Sequence, residues 1–350
     1  MQTDFFKEIK KRKYPYIIAE LGSNHNGDMD VARKLIEAAK ESGADCVKFQ
    51  SWTKDTIFSK KKYDENYFLA DDYRDREDYT LEQIVDAYSI SETQLMEMNE
   101  YCCKLNIDCT STPFSKKEVD FLVEELDVPF IKIASMDLNN YPFLEYIAQK
   151  NKPLVLSTGF SELYEIDKAI KTIESTGNDK LVILHCVAIY PTPEEDVNLN
   201  SIDTLNKLYP YPIGYSDHTL GYSIALASIS KEVCLIEKHF TIDKDMEGWD
   251  HHMSINPDEM KILVEESKRV SKAMGSTRII SPEDNHGKTE FRRSIVAVRN
   301  LKAGEKIALL DLDSKRPGTG ISPGELKYVI GRTLKNDLGE DEILNWEDLI

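Results

Sequence analysis

Polar side chains able to bind or transform a substrate recur at one kind of place in this sequence, the end of a short apolar run. Glu20 closes YIIAE, Lys48 and Gln50 lie in CVKFQ, and Ser111 and Thr112 lie in DCTSTPF. Lys132, Ser135 and Asp137 follow in FIKIASMD, Ser157 in PLVLSTG and His185 in LVILHCV. Ser216 and His218 end YPIGYSDH, and Glu237 and His239 end VCLIEKHF. Lys48 and Gln50 are two apart and share one face of an extended chain, with Val47 and Phe49 on the other. A lysine between apolar neighbours is costly to bury without a partner. Lys132, between Ile131 and Ile133, repeats the case. One such lysine could pair with a core carboxylate; two, with nearby Ser and Thr hydroxyls, favour a phosphate or carboxylate site. Ser216 and His218 again share a face. With His239 at the end of the next run, two imidazoles come within reach of one ion, and such a site suits Mn, Fe, Zn or Co better than Ca. General acid–base or packed histidines are the alternative. Glu20 is a candidate for binding a hydroxylated substrate, and Asn24 and His25 in the following LGSNHNGD read equally as turn formers or site residues. Asp137 reads as a base on water or as a solvated acid.

The elements that must position these groups follow from periodicity. Eight apolar runs of strand length occur at residues 16–20, 46–50, 108–114, 130–135, 153–159, 181–187, 211–218 and 233–240. Between them lie segments with apolar residues three and four apart, such as DVARKLIEAAKESG and SELYEIDKAIKTIEST. Strict alternation of strand and helix predicts an α/β fold with a parallel sheet, and eight units predict its closed form, a (β/α)8 TIM barrel over residues 1–276. Polar residues at the carboxyl ends of the strands then fall where barrel active sites form. Residues 51–90, rich in Lys, Asp and Tyr, form an insertion and a candidate lid. Residues 277–290 read as a linker. From 291 to 350 the pattern changes to short strands and turns, a small β-rich domain.

With 350 residues, 41% hydrophobic and 30% charged, the chain has the composition of a soluble globular protein with no run fit to cross a bilayer. The start, MQTDFFKEIKKRKYPY, lacks the apolar core of a secretory signal, so a cytoplasmic location is expected. Six cysteines without a C-x-x-C pair read as reduced and structural. A net charge of −18 disfavours nucleic acid and anionic lipid as partners, and a site for an anionic substrate must be a local basic island.

In order along the chain, IIAELGSNHNGD, GADCVKFQ, STPF, IKIAS, LSTG, HCVAIYPTP, GYSDHT and EKHFTID resemble the strand-end motifs of the sialic acid synthase family. FRRSIVAVRNLKAGEKI and KRPGTGI resemble that family's C-terminal antifreeze-like (SAF) domain. The resemblance covers nearly all of the chain. It implies condensation of phosphoenolpyruvate with an open-chain N-acetylated amino sugar and water, giving a nine-carbon 2-keto acid and phosphate. By the same resemblance Lys48, Lys132, Thr112, Ser135, Ser157 and Ser216 would hold the phosphate and carboxylate, and His218 and His239 would bind a divalent metal, Mn or Mg. Glu20, Gln50, Tyr190 and Asp250 would contact the sugar, and Asp137 would handle water. Arg316 would enter the partner's active site in a domain-swapped homodimer. The sequence departs from the family pattern at Ala188, Trp249 and Asp137, all near the expected sugar pocket or water site. These departures leave the aldose open between N-acetylmannosamine and a 2,4-diacetamido-2,4,6-trideoxyhexose. The rival readings are another phosphoenolpyruvate-dependent 3-deoxy-ulosonate synthase, which would need a second phosphate site, and a catalytically silent carbohydrate-binding relative.

Overall fold

A computed structural model describes residues 4–66, 80–277, 282 and 285–350. The chain divides into two compact units, Met1–Gly275 and Ser276–Ile350.

The first unit is built on eight strands: β1 (Tyr16–Gly22), β2 (Cys46–Gln50), β3 (Asp108–Thr112), β4 (Ile131–Ile133), β5 (Leu154–Ser157), β6 (Leu181–Cys186), β7 (Ile213–Asp217) and β8 (Leu235–His239). They pair in parallel in the order β3-β2-β1-β8-β7-β6-β5-β4. Across the remaining seam the Thr110 hydroxyl donates to the Phe130 carbonyl at 2.7 Å, linking β3 to the start of β4. The predicted barrel is what forms.

Alternation decides what each strand presents. Ile17, Ala19, Val47, Phe49, Ile131, Ile133, Leu154, Leu156, Leu181 and Ile183 belong to the large core shared with the surrounding helices. The residues between them, Ile18, Cys46, Phe130, Val155, Val182, Leu184 and Leu235, form a separate inner cluster with Phe5, Phe6, Ile9 and Tyr16. Phe5, Phe6 and Ile9 come from a helix, Phe5–Lys11, whose N-cap Asp4 accepts from the Lys7 amide. The Phe5 ring stacks on Phe130 at 4.3 Å and meets Tyr16 edge-on at 5.3 Å. This helix is not among the elements that periodicity predicts. It is a plug on the amino-terminal side of the strands, leaving polar groups the other end.

Three further differences have local causes. Ser135 and Asp137 lie not in a strand but in a 3-10 turn, Ser135–Asp137, after the short β4. The expected linker contains a helix, Asn285–Phe291, whose sequence NHGKTEF has one large apolar residue and so shows no amphipathic period. Of the expected insertion, residues 67–79 lie outside the described residues; the rest includes helices Lys60–Glu65 and Leu81–Tyr88. The second helix packs against the loop after β1 at Gly27, which has φ +74° and where a Cβ would stand 2.0 Å from the Ala87 carbonyl oxygen. Only glycine fits there.

The second unit pairs β9 (Ser294–Ala297) with β10 (Leu312–Lys315) antiparallel and encloses its own core, including Ile295, Leu301, Ile307, Val329, Leu334 and Leu344. No helix among the described residues is long and apolar enough to cross a membrane. All six cysteines are free thiols.

Asn24 and His25 turn out to be structural. Asn24 donates to the Phe240 carbonyl and to Ser254, each at 2.9 Å, and His25 Nδ1 accepts from the Gly27 amide at 3.0 Å. His251 contacts Thr241 at 2.7 Å and Asn26 at 3.2 Å. Burial pushes both His25 and His251 down to about 4. An unfolded histidine takes up its proton near ~6.5. Unfolding therefore absorbs protons between those values, so stability is complete above ~6.5 and declines as pH falls toward 4, by up to about 1.4 kcal/mol per pH unit for each histidine. Urea unfolding at pH 7, 6 and 5 should show a shallower decline in His251→Gln than in the wild type; equal declines would contradict the buried neutral ring.

Candidate active site

Two residues beyond each inward apolar residue, the strands reach the floor of a cavity of about 330 Å³ at their carboxyl ends. Four ionisable groups meet there, Glu20, Lys48, Lys132 and Glu237, none more than 5% exposed. Lys48 pairs closely with Glu20, lies 3.7 Å from Glu237 Oε2 and donates to Thr112 Oγ1 at 3.0 Å. Lys132 lies 3.6 Å from Glu237 Oε1 and donates to its neighbour's carbonyl at 3.3 Å. Ser216 donates to Glu237 Oε1 at 2.8 Å. Gln50 Nε2 donates to Glu20 Oε1 at 2.9 Å, and the Trp52 indole donates to Gln50 Oε1 at 2.9 Å.

Each lysine thus has a carboxylate within ion-pair range, the pairing that the sequence leaves open. The pairing is uneven. Lys48 is well held, whereas Lys132, with three N–H donors, makes one long hydrogen bond and one loose ion pair.

The environment drives the carboxyls apart. Burial alone would raise Glu237, but Lys132, Lys48 and the Ser216 hydroxyl outweigh it and hold the group at about 2. At Glu20 burial wins, aided by Glu237 and opposed by Lys48, and the carboxyl rises above its usual range. Burial also lowers Lys132, while at Lys48 the two carboxylates overcome it and raise the ammonium. One carboxylate is thus held in its charged form while burial favours the protonated form of its neighbour, a division of labour typical of acid–base sites. Buried polar atoms are nearly always hydrogen-bonded. Here Glu237 Oε2, Ser157 Oγ and His239 Nδ1 have no such partner, and all three belong to residues lining this cavity.

His218 and His239 lie side by side at the rim, their ring centroids 5.4 Å apart, with the Tyr190 ring tilted by 54° at 4.3 Å from His218. His218 Nδ1 lies 2.9 Å from the Val187 carbonyl, so in the neutral ring the proton sits on Nδ1 and Nε2 keeps its lone pair. Burial opposes charge on His218, but Cys186, with its sulfur 4.0 Å from Nδ1, outweighs it and raises the ring. Burial lowers His239 well below its usual value, keeping it neutral. Its unpartnered Nδ1 is 3.7 Å from Asp250 Oδ2. Among the described residues no group of three or more His, Cys, Asp or Glu is placed to hold a metal. Two neutral imidazole nitrogens are a donor set that an ion could share only with water or substrate as its other ligands.

Of the residues singled out from sequence, Glu20, Lys48, Gln50, Thr112, Lys132, Ser135, Ser157, Tyr190, Ser216, His218, His239 and Asp250 all line the cavity. Asp137 does not; its carboxylate accepts from Asn140 at 3.1 Å. Arg316 belongs to the second unit, its guanidinium 5.3 Å from the Phe291 ring. His185 points to the helical side and meets the Val197 carbonyl at 2.7 Å, as its odd position between Leu184 and Cys186 requires. Ser111 likewise turns away, onto Ser51. Sequence reading undervalued Glu237, which the same parity places beside His239, and took Cys186 as purely structural although it lines the cavity. It also missed the apolar wall of Trp52, Phe58, Leu81, Val85, Phe160 and Trp249. Trp52 and Trp249, 5.9 Å apart, come from distant loops.

Fold and site together define a barrel enzyme with an ionic floor at its strand ends. The chain matches the NeuB family over residues 35–278 and the SAF domain over residues 292–350, and it belongs to the sialic acid synthase family, transferases that form a carbon–carbon bond. It is 43% identical to an uncharacterised protein of Methanocaldococcus jannaschii, over 98% of this chain and 96% of the relative. It is 39% identical to the N,N'-diacetyllegionaminic acid synthase of Legionella pneumophila, over 95% of this chain and 94% of that one. The crystal structure of N-acetylneuraminic acid (sialic acid) synthetase from Leptospira borgpetersenii serovar Hardjo-bovis in complex with citrate superposes with a TM-score of 0.69 at 32% identity, covering 79% of this chain and 90% of that one.

Glu237 is the charge that makes two buried ammonium groups tolerable. Glu237→Gln keeps its shape and should cost about 3–5 kcal/mol, since it leaves buried charge uncompensated. Millimolar inorganic phosphate should then raise the variant's melting temperature by more than that of the wild type. Equal shifts in both proteins would show that the floor is not an anion cradle.

Proposed function

We propose that the protein is a nonulosonic acid synthase that condenses phosphoenolpyruvate with an N-acetylated amino sugar and water, releasing a nine-carbon 2-keto acid and phosphate. The observation that supports this most directly is the buried floor, where the under-coordinated Lys132 and the unpartnered Ser157 hydroxyl leave donors for an anion. Lys48, Thr112, Ser135 and Ser216 complete the cradle for phosphate and carboxylate. Carbon 3 of the enol bonds to the aldehyde carbon and water adds at carbon 2; the bond from carbon 2 to the phosphate oxygen then breaks. The aldehyde oxygen gains one of the attacking water's protons, and the second leaves with the phosphate as the carbon 2 carbonyl forms. Glu20, raised by burial above the usual carboxylate range and adjacent to the cradle, is suited to move a proton between the water and the aldehyde oxygen. Asp137, held away from the cavity, is less suited. Gln50, Tyr190 and Asp250 face the sugar. A divalent ion, Mn or Mg, held by His218 and His239 would supply Lewis-acid polarisation of the aldehyde.

The aldose end of the cavity favours a 2,4-diacetamido-2,4,6-trideoxyhexose over N-acetylmannosamine. A wall of Trp52, Phe58, Leu81, Val85 and Trp249 accepts the methyl groups of a second acetamide and of carbon 6, and a hydroxyl facing it would lose its water without gaining a partner. A sugar phosphate fits poorly: among the described residues the cavity's lysines are Lys48 and Lys132, both at the floor, and it has no arginine. The exposed Met136, Phe160, Leu163, Tyr164, Ile189 and Leu220 follow β4 to β7 and ring the mouth. Such an apolar rim suits a partner surface, in line with a homodimer in which the partner's SAF domain brings Arg316 to the site. Six free thiols suit the reducing cytoplasm.

Phosphate release from phosphoenolpyruvate tests the reading with a panel of acetamido-hexoses. Release should require a sugar and stop with chelator, and the diacetamido-trideoxy sugar should exceed N-acetylmannosamine about tenfold in kcat/KM, the ~1.4 kcal/mol expected of one badly placed hydroxyl. No release with any sugar would end the synthase reading. His218→Ala and His239→Ala should each lower kcat at least about a hundredfold; full activity in the double variant would remove the metal. Arg316→Ala should raise KM for the sugar, and an unchanged KM would dismiss the cross-subunit contact.

A further inference from the structure

We infer that the buried ion pair Lys238–Asp217, outside the cavity, is a positioning device that sets the separation of His218 and His239. The inference rests on the two-imidazole metal reading above. Asp217 and Lys238 are register partners on β7 and β8, and His218 and His239 are the next residue on each strand. By alternation the pair faces the helices while the imidazoles face the cavity mouth. Lys238 Nζ donates to Asp217 Oδ2 at 2.8 Å and to the Thr219 carbonyl. Asp217 Oδ1 accepts from the Tyr215 hydroxyl and from the Thr219 amide, each at 2.9 Å. The residues on both sides of His218 are therefore clamped by one carboxylate and one ammonium, and that ammonium is carried by the residue preceding His239. Both side chains are at most 1% exposed.

Strand cohesion does not require such a pair. A buried ion pair in a well-packed layer can often be replaced by apolar side chains at little cost in stability, and the outward core of the barrel that includes Ile213, Tyr215, Ile236 and Phe240 is mostly apolar. What an apolar pair cannot supply is directional hold on the backbone of residue 219, since it offers neither a donor to the carbonyl nor an acceptor for the amide. Two imidazoles that present only two ligand atoms to an ion depend on their separation more than a three- or four-ligand cage does. A clamp on that separation should therefore act on metal affinity. The carboxylate and ammonium never touch the ion, so their effect must pass through the histidines, as it does for outer residues of metal sites, where mutation costs 10- to 100-fold in affinity.

The test is Mn²⁺ binding to the whole protein, read as free Mn²⁺ by electron paramagnetic resonance, with thermal melts on the same samples. The wild type should bind Mn²⁺, and His218→Ala should abolish that binding. Lys238→Met and Asp217→Asn should weaken it at least about tenfold in protein that still melts cooperatively, whereas a merely structural pair would lower the melting temperature and leave the affinity of the folded protein alone. Tyr215→Phe removes one hydrogen bond to Asp217 without removing charge and should weaken Mn²⁺ binding a few-fold; it decides the matter if the other two variants do not fold. Wild-type affinity in the folded variants, with binding still lost in His218→Ala, would overturn the positioning role and leave the metal site standing. Binding that ignores His218→Ala would overturn both.

Discussion

The site depends on keeping four charges out of water at the centre of a barrel. Any one of Glu20, Lys48, Lys132 or Glu237 alone at that depth would be driven to its neutral form. Together they sum to zero and sit within ion-pair range of one another. The arrangement holds only if the strands keep their register, because Glu20 is the Cα partner of Lys48 on one side and of His239 on the other. The apolar rung beneath enforces that. Ile18, Cys46, Phe130, Val155, Leu184, Leu235 and the small Gly214 each stand two residues before a cavity residue: Glu20, Lys48, Lys132, Ser157, Cys186, Glu237 and Ser216 respectively. A one-residue slip of any strand would send its apolar residue to the helices and its polar residue after it. Gly214 shows how tight the rung is: a Cβ there would lie 2.6 Å from Leu184 and 2.8 Å from the Leu235 carbonyl.

That two-residue rule explains what was legible in the sequence. Strands with clear alternation, CVKFQ and FIKI, reveal their inward lysines directly, and the barrel follows from eight such units. His185 was misplaced by choosing the polar residue nearest a strand end rather than the one in phase; Cys186, in phase, looks like a core residue because sulfur is apolar enough to pass as one. Glu237 was visible by the same phase but overshadowed by His239. Asp137 could not be placed this way, since β4 ends at Ile133 and a 3-10 turn breaks the alternation before it. The partners of the lysines were illegible for another reason. Lys48 meets a carboxylate 28 positions earlier and another far later in the chain, and only the register of closed strands brings them together.

Elements without period 2 were the hardest to foresee. The apolar wall of the cavity draws Trp52 from the loop after β2, Leu81 and Val85 from a helix of the insertion and Trp249 from the loop after β8. The plug helix Phe5–Lys11 shows the same limit: FFKEI is a short amphipathic turn whose target, Phe130 with Tyr16, exists only once the barrel has closed.

Wall and floor are not independent. The Trp52 indole donates to Gln50, Gln50 donates to Glu20, Glu20 pairs with Lys48, and Lys48 donates to Thr112. Gln50 has its carbonyl oxygen committed to Trp52, so its amide nitrogen is the end turned toward Glu20, and the orientation of one rim residue selects the form of the floor's most proton-ready carboxyl. A donated hydrogen bond favours the carboxylate, and burial opposes it. Glu20 is balanced between these forces, and a ligand that shifts Trp52 would change that balance without touching the carboxyl. Because hydrogen bonds at low dielectric polarise one another, the tilted contact of Trp52 with Trp249 that shapes the cavity's apolar wall also bears on how readily Glu20 gives or takes a proton.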